Sequence, residues 1–343
     1  MPTKNELRML QALPLELKVM RTKQRIREWV NYYGVDGVYV SFSGGKDSTV
    51  LLHIARELYP DIEAVFVNTG LEYPEIQKFV KTFDNVKTVY PKMRFDEVIR
   101  KYGYPLISKS VANCVRGAKL GQQSRINLLN GKNVDGSDRK SKFSKAKYKP
   151  LLNVDFKISD MCCDVMKKKP SYDFQKRTGK KPIIATMAQE SMLREKNWYK
   201  SGCNAFDNKH PQSAPMSFWT EQDVLQYIKE NNIPISSVYG EVVYKDEDGF
   251  MYQDSICGDK LCTTGCDRTG CIFCAFGAHL DERGGGLSRF ERLKETHPRQ
   301  YEYCMGGGAY DENGVWKPTK DGLGLRHCID VLNSIYGENF IKY

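Results

Sequence analysis

The chain has 343 residues, 41% of them hydrophobic, with 52 Lys and Arg against 42 Asp and Glu and a formal net charge of +10. That length holds one large or two ordinary domains with a full core, which excludes a short disulfide scaffold and a disordered polycation. No stretch approaches a membrane span and the opening Met1-Pro2-Thr3-Lys4 lacks the apolar run of a signal peptide, so a cytoplasmic protein with no membrane partner is expected.

In chain order, Leu15–Tyr33 reads as an entry helix. Strand Gly37–Val40, helix Ser48–Leu58, strand Ile62–Val67, helix Tyr73–Phe83, strand Val86–Tyr90 and helix Phe95–Tyr102 follow. Strands alternating with helices predict a doubly wound, mostly parallel α/β sheet, with ligands at the carboxyl ends of the strands. Residues 116–150 interrupt the pattern. Ten Lys and Arg stand there against two Asp, so this segment carries most of the net charge. It reads as a mobile basic arm, either contacting a polyanion such as tRNA or DNA, with Phe143 and Tyr148 available to stack, or forming a solvated surface insertion. Strand Pro182–Thr186 and helix Glu221–Asn231 resume the alternation, with Thr220 as N-cap and Asp223 at the third helical position. From about Ser236 glycine and cysteine rise and periodicity fades. The expected division is 1–235, a nucleotide-binding domain, and 236–343, a smaller cysteine-rich module with helices. No internal repeat is visible.

The most informative stretch is Ser41-Phe42-Ser43-Gly44-Gly45-Lys46-Asp47-Ser48, where a β-branched run meets an apolar helical pattern. A glycine pair at that junction turns backbone N–H groups outward at the positive end of a helix, a cradle for pyrophosphate. Lys46 adds a point charge, and Asp47 and Ser48 offer oxygens to Mg2+ or to a phosphate. The spacing differs from the Walker A loop, in which four residues separate two glycines.

Several ordered motifs together resemble the phosphoadenosine phosphosulfate (PAPS) reductase-like family of PP-loop enzymes, in its bacterial and phage branch, over most of residues 21–277. They are the Ser43–Ser48 loop, the turn Asn68-Thr69-Gly70 with Tyr73 after it, the pair Cys162-Cys163, Glu190-Ser191 with Arg194, Pro215–Val224, and Ile233–Gly240. The resemblance implies an adenine nucleotide alpha hydrolase-like fold. It also implies a nucleotide site, for ATP or for PAPS or its dephospho analogue APS, built from Ser41, Ser43, Gly44, Gly45, Lys46, Asp47, Ser48, Asn68, Thr69, Gly70, Glu190, Ser191 and Arg194. Lys46, Asp47 and Ser48 would carry the chemistry. Three features depart from the family pattern. Met187 stands where an arginine is expected, Asn68 replaces an aspartate, and the chain ends Ile341-Lys342-Tyr343 without the family's C-terminal catalytic cysteine. Methionine cannot reproduce a bidentate guanidinium contact.

Of the 11 cysteines, Cys162, Cys163, Cys271 and Cys274 match the pattern by which iron–sulfur sulfonucleotide reductases hold a 4Fe–4S cluster. Cys262, Cys266, Cys271 and Cys274 form an alternative set for a structural Zn2+, with Cys257 in the same region. Cys114, Cys203, Cys304 and Cys328 read as buried thiols, and Cys203 is the outside candidate for a sulfur carrier. Arg268 and Arg289 read as solvated. The expectation is an enzyme that cleaves ATP between its α and β phosphates and transfers sulfur, with a nucleic acid as candidate acceptor and a sulfur or electron donor protein as partner. The alternatives are a sulfonucleotide reductase releasing sulfite with an external thiol, and a non-catalytic nucleotide- and nucleic-acid-binding accessory protein.

Overall fold

A computed structural model describes residues 2–140, 144–246, 249–253, 260–284 and 286–343, without the side chains of 282–284. The chain divides into two units that interleave in sequence. The first comprises Met1–Asn68, Glu72–Tyr90 and Pro170–Gly270, and the second Thr69–Leu71, Pro91–Lys169 and Cys271–Tyr343.

The first unit is built on a six-stranded sheet in the order Val86–Val89, Ala64–Val67, Val38–Ser41, Lys181–Ile183, Gln212–Ser213 and Asn204–Ala205. All pairings are parallel except that of the last two strands. Val38, Tyr39 and Val40 are buried, as expected for a strand covered on both faces. Helix Leu15–Tyr33 buries Ile26, Trp29 and Val30, and helix Lys46–Leu58 buries Val50, Leu51 and Ile54. The chain thus forms the expected α/β architecture with a mostly parallel sheet. Its central strand, Val38–Ser41, pairs with Ala64–Val67 on one side and Lys181–Ile183 on the other. That change of direction is where a doubly wound sheet opens a crevice. A small antiparallel sheet of Lys260–Thr263, Val242–Lys245 and Met251–Tyr252 completes the unit.

The second unit is mainly helical, with Phe95–Tyr102, Lys109–Lys119, Gln123–Leu129, Arg289–Thr296, Pro298–Met305 and Leu325–Tyr336. Strand Leu106–Ile107 pairs in parallel with Ala275–Phe276 and ties its two halves together. Here the sequence-based expectation needs correction. The basic segment is not a featureless arm: it contains helix Gln123–Leu129 and the 3-10 turn Ala146–Leu152, because Leu129, Tyr148 and Leu151 find burial. Phe143 lies outside the described residues. No helix among the described residues is long and apolar enough to cross a membrane.

Lys18 and Asp223 join the entry helix to helix Glu221–Glu230. The Lys18 ammonium donates to both Asp223 oxygens at 2.8 and 2.7 Å, and the same carboxylate caps its own helix by accepting from the Thr220 amide at 2.6 Å. Lys18 is only 2% exposed, so the pair must satisfy itself. Lys18→Met leaves the Asp223 charge buried and uncompensated. It is expected to lower the unfolding free energy by about 3 kcal/mol, read from urea denaturation. An unchanged midpoint would mean that the helix cap alone satisfies Asp223.

Candidate functional site

The turn Ser43–Ser48 is shaped by sterics. Gly44 has φ +72°, and a Cβ there would lie 2.7 Å from Val80 Cγ2 and 2.9 Å from Ile76 Cγ2. Only glycine meets both demands. Gly45 is extended and caps the helix, which begins at Lys46, two residues before the position read from the sequence. The reason lies in the hydroxyls: Ser48 Oγ and Thr49 Oγ1 donate back to the Gly45 carbonyl at 2.9 and 3.0 Å, closing the first turn. Ser48 Oγ also accepts from the Ser43 amide at 3.1 Å, so the loop is held across its neck.

Lys46 is buried, its ammonium 2.6 Å from the Asp267 carbonyl oxygen and 3.0 Å from a Glu221 carboxylate oxygen. Its amide donates to the Tyr239 hydroxyl at 3.2 Å, and that hydroxyl also bonds Thr269 Oγ1. Asp47 stands apart. Its Oδ1 is buried with no hydrogen-bond partner among the described residues. Burial pushes the Asp47 pKa above its ordinary value, with Glu221 acting in the same direction and Lys46, Arg268 and Arg194 opposing. Arg268 also weighs on Arg194, so two guanidinium groups flank this carboxylate. A buried carboxylate oxygen without a donor, beside a turn of backbone amides and two guanidiniums, is arranged for an anion together with a cation.

The other predicted residues fall as follows. Ser41 ends the central strand, and the Asn68 amide donates to the Val89 carbonyl at 2.9 Å at the end of the next strand. Thr69 and Gly70 belong to the second unit, where Thr69 Oγ1 accepts from the Leu71 amide at 3.1 Å and Gly70 has φ +72°. Glu190 forms an ion pair with Arg194 and accepts from the Met187 amide at 3.0 Å. Ser191 caps the following helix, accepting from the Arg194 amide at 3.3 Å. Met187 is buried and lines a cavity of ≈ 60 Å³ with Cys203 and Trp198. Sequence reasoning missed Tyr239, Glu221, Asp267 and Thr269, and it left Arg268 to solvent. The signal was Cys266-Asp267-Arg268-Thr269-Gly270-Cys271, a polar run whose flanking cysteines drew all the attention.

Cys162, Cys163, Cys271 and Cys274 all belong to the second unit. The thiol of Cys162 is raised well above the usual range by its hydrogen bond to Cys163 and by burial, with Cys163, Cys271 and Cys274 adding to the shift. Cys163 is held below the usual range by the hydrogen bond from Cys162, helped by the Lys109 and Lys167 ammonium groups. Burial raises Cys274, and Cys163 raises it further. These four thiols therefore share one electrostatic neighbourhood. Just after the cysteine pair the helix widens into a π-turn over Asp164–Lys168, a distortion often found at functional sites. Arg289 braces the other pair, donating to the Cys274 and Phe276 carbonyls at 2.9 Å while paired with Asp281. Among the described residues no group of three or more His, Cys, Asp or Glu is arranged to hold a single metal ion. Cys262 and Cys266 lie in the first unit, and Cys257 lies outside the described residues.

A glycine turn at the carboxyl edge of a parallel sheet, between the central strand and a buried helix, lies where doubly wound α/β proteins receive their ligands. The phosphoadenosine phosphosulfate reductase domain matches residues 37–107 and 116–276, more than half of the chain, and the chain belongs to that family. An adenosine 5'-phosphosulfate reductase of Staphylococcus haemolyticus is 23% identical over 221 residues, covering 63% of this chain and 70% of that protein. A phosphoadenosine 5'-phosphosulfate reductase of Xanthomonas axonopodis pv. citri is 34% identical over 70 residues, 20% of this chain and 29% of that one. An uncharacterized protein of Methanocaldococcus jannaschii is 31% identical over 114 residues, and the chain spans only 28% of its length. A PAPS reductase from Candida auris, solved as a phosphate complex, aligns over 75% of this chain and 98% of that one, with TM-score 0.39 and 13% identity. At family level the function is sulfonucleotide reductase-like, that of an enzyme of sulfur metabolism.

Because the fold raises the Asp47 pKa above 3.8, the folded chain holds that proton more tightly than the unfolded chain. Stability is therefore lost as pH climbs past 3.8 and through the raised value, and the loss is complete above it. Asp47→Asn is expected to raise the melting temperature at pH 7, with the difference vanishing in acid. A variant less stable than the parent at pH 7 would mean that Asp47 has a stabilising partner.

Proposed function

We propose that the chain binds ATP at the Ser43–Ser48 turn, cleaves it between the α and β phosphates, and uses the adenylated acceptor for sulfur transfer. The observation that carries this reading is the buried, unpartnered Asp47 oxygen inside an otherwise satisfied loop. Such an oxygen suits Mg2+, and Asp47 would hold that ion. When bound, Mg2+ supplies positive charge to a departing pyrophosphate. The chain's own groups do the rest. On nucleotide binding the Ser43, Gly45 and Lys46 amides would exchange their hydroxyl partners, and the Lys46 ammonium its Asp267 and Glu221 partners, for the β and γ phosphates, while Arg194 and Arg268 meet the remaining oxyanions. An acceptor oxygen attacks the α phosphorus, the bond to the bridging oxygen breaks, and pyrophosphate leaves with its electron pair. A sulfur nucleophile from a donor protein then displaces AMP.

Cys162, Cys163, Cys271 and Cys274 would hold a 4Fe–4S cluster. Four thiols in one neighbourhood, without a cage for one ion, suit four irons better than one zinc, whose thiolates lie only about 3.8 Å apart at a Zn–S distance of about 2.3 Å. When bound, the cluster supplies electrons or holds sulfur. A second reading, supported by the relatives' names, is reduction of APS or PAPS to sulfite by an external thiol. Cys203 is a poor candidate for that thiol, because burial raises its pKa and keeps it protonated.

Pyrophosphate release from ATP with Mg2+ tests the preferred reading. Lys46→Ala is expected to cut it by about 100-fold or more, and Arg268→Ala to weaken nucleotide binding. Sulfite from APS in the absence of ATP would establish the second reading instead. Purified without oxygen, the protein is expected to contain about four irons and four sulfides, lost in a Cys271→Ser, Cys274→Ser variant. One zinc and no sulfide would reject the cluster.

A further inference from the structure

The second unit contains a cleft of ≈ 460 Å³ lined by Tyr301, Glu302, Trp316, Arg326, His327 and Asp330 among others. None of these residues belongs to the nucleotide turn or the thiol group. The cleft has a built wall. Trp316 lies against Gly308 and Gly324, where a Cβ would come within 2.4 and 2.7 Å of its indole, and its Nε1 donates to the Gly324 carbonyl at 2.9 Å. Both glycines have positive φ, +89° and +67°, so the backbone is shaped to admit the ring. On the indole sits the His327 imidazole, with centroids 4.4 Å apart, fixed by a bond from Nε2 to Asp155 at 2.8 Å. Tyr310 donates to the same Asp155 oxygen at 2.7 Å, so the imidazole is oriented from behind. Arg326, Glu302 and Asp330 add one cation and two carboxylates. Aromatic rings for a base, carboxylates for sugar or amino donors and a guanidinium for phosphate together describe a nucleotide-sized polar ligand.

One helix, Leu325–Tyr336, carries this cleft and also touches the basic segment. Arg326, His327 and Asp330 lie toward its start, and near its end Tyr336 packs edge-on to Tyr148 with centroids 5.9 Å apart. Tyr148 lies in the turn Ala146–Leu152, where Lys147 and Lys149 are exposed and the Lys147 ammonium is 4.8 Å from the Tyr148 ring centroid. In the same unit Lys119 and Lys157 are also exposed, and the Lys119 pKa is lowered by partial burial of its ammonium and then by the Lys157 charge. Like charges held together in this way attract a polyanion.

We propose that the second unit binds single-stranded nucleic acid, with phosphates along Lys119, Lys145, Lys147, Lys149 and Lys157 and one unstacked base in the cleft of Trp316, His327 and Arg326. The base is read on its exposed edge, which a duplex does not offer. The inference names the class of acceptor for the sulfur-transfer reading and rests on that reading only for the fate of the bound strand. Binding is measured without ATP, so failure here and failure of the nucleotide reading are distinguishable.

The test is fluorescence anisotropy of the full chain with labelled single strands of about 12 nucleotides, oligo-dT and oligo-U, and with a duplex of equal length. Single strands are expected to bind about tenfold more tightly than the duplex, with affinity falling steeply between about 50 and 200 mM salt. The ratio of oligo-U to oligo-dT affinity distinguishes RNA from DNA. Lys145→Ala, Lys147→Ala, Lys149→Ala should weaken binding and reduce the logarithmic salt slope by about two. His327→Leu keeps an apolar side chain against the indole, so the fold should survive. It should weaken single-strand binding about fivefold with the salt slope unchanged. Melting temperatures confirm folding, and quenching of tryptophan fluorescence gives a second readout if His327→Leu unfolds. No binding at low salt, equal affinity for the duplex, or a His327→Leu variant or tryptophan signal indifferent to the strand overturns the proposal.

Discussion

The left-handed backbone at Gly44 is the constraint on which the Ser43–Ser48 turn depends. It lets the chain reverse within two residues while the Ile76 and Val80 side chains press against the space a Cβ would need. Once the reversal is made, Gly45 caps the helix, Ser48 and Thr49 tie back to it, and Lys46 is driven into the interior beside Glu221. The polar groups that follow are consequences of that geometry. Lys46 has two oxygen partners and Asp47 Oδ1 has none among the described residues. The asymmetry is chemical: Glu221, from a later helix, supplies the counter-charge for the cation, while the carboxylate oxygen has no such partner among the described residues.

The two units concentrate different chemistry. The first gathers Arg194, Arg268 and Lys46 around a buried carboxylate, so it is organised by oxygen and charge. The second gathers four thiols that perturb one another, so it is organised by sulfur. Met187 is buried and shares a cavity with Cys203, while Arg194 and Arg268 both act on Asp47. Arg268 sits on the run leading into Cys271.

Much of the first unit was legible because local signals and tertiary environment agree there. The strand Val38–Ser41 is β-branched and buried, the entry helix matches Leu15–Tyr33, and Thr220 with Asp223 forms the expected cap. In the second unit helix Phe95–Tyr102 stands where the sequence put it, but little else there was legible. Strand Leu106–Ile107 is two residues long and pairs with a partner at Ala275–Phe276, a contact no local periodicity announces. The basic segment was misjudged because its charge hides two apolar anchors, Leu129 and Tyr148, with Leu151 just beyond it. Tyr239 was quoted within a motif without a role, since a tyrosine hydroxyl that meets a loop amide from far along the chain is a tertiary fact.

The interleaving of the two units has a consequence for biogenesis. Val38 pairs with Lys181, so the central strand of the first unit waits for a neighbour synthesised much later. At ordinary translation rates that interval is on the order of ten seconds, while the hairpin-free half-sheet of Val38–Ser41, Ala64–Val67 and Val86–Val89 already exists. Throughout that time the buried edge of Val38–Ser41 has unpaired amides and carbonyls along an apolar strand, the template most prone to pairing with another chain. Slowing elongation between residues 90 and 181 therefore lengthens the time for which that strand lacks its Lys181–Ile183 neighbour.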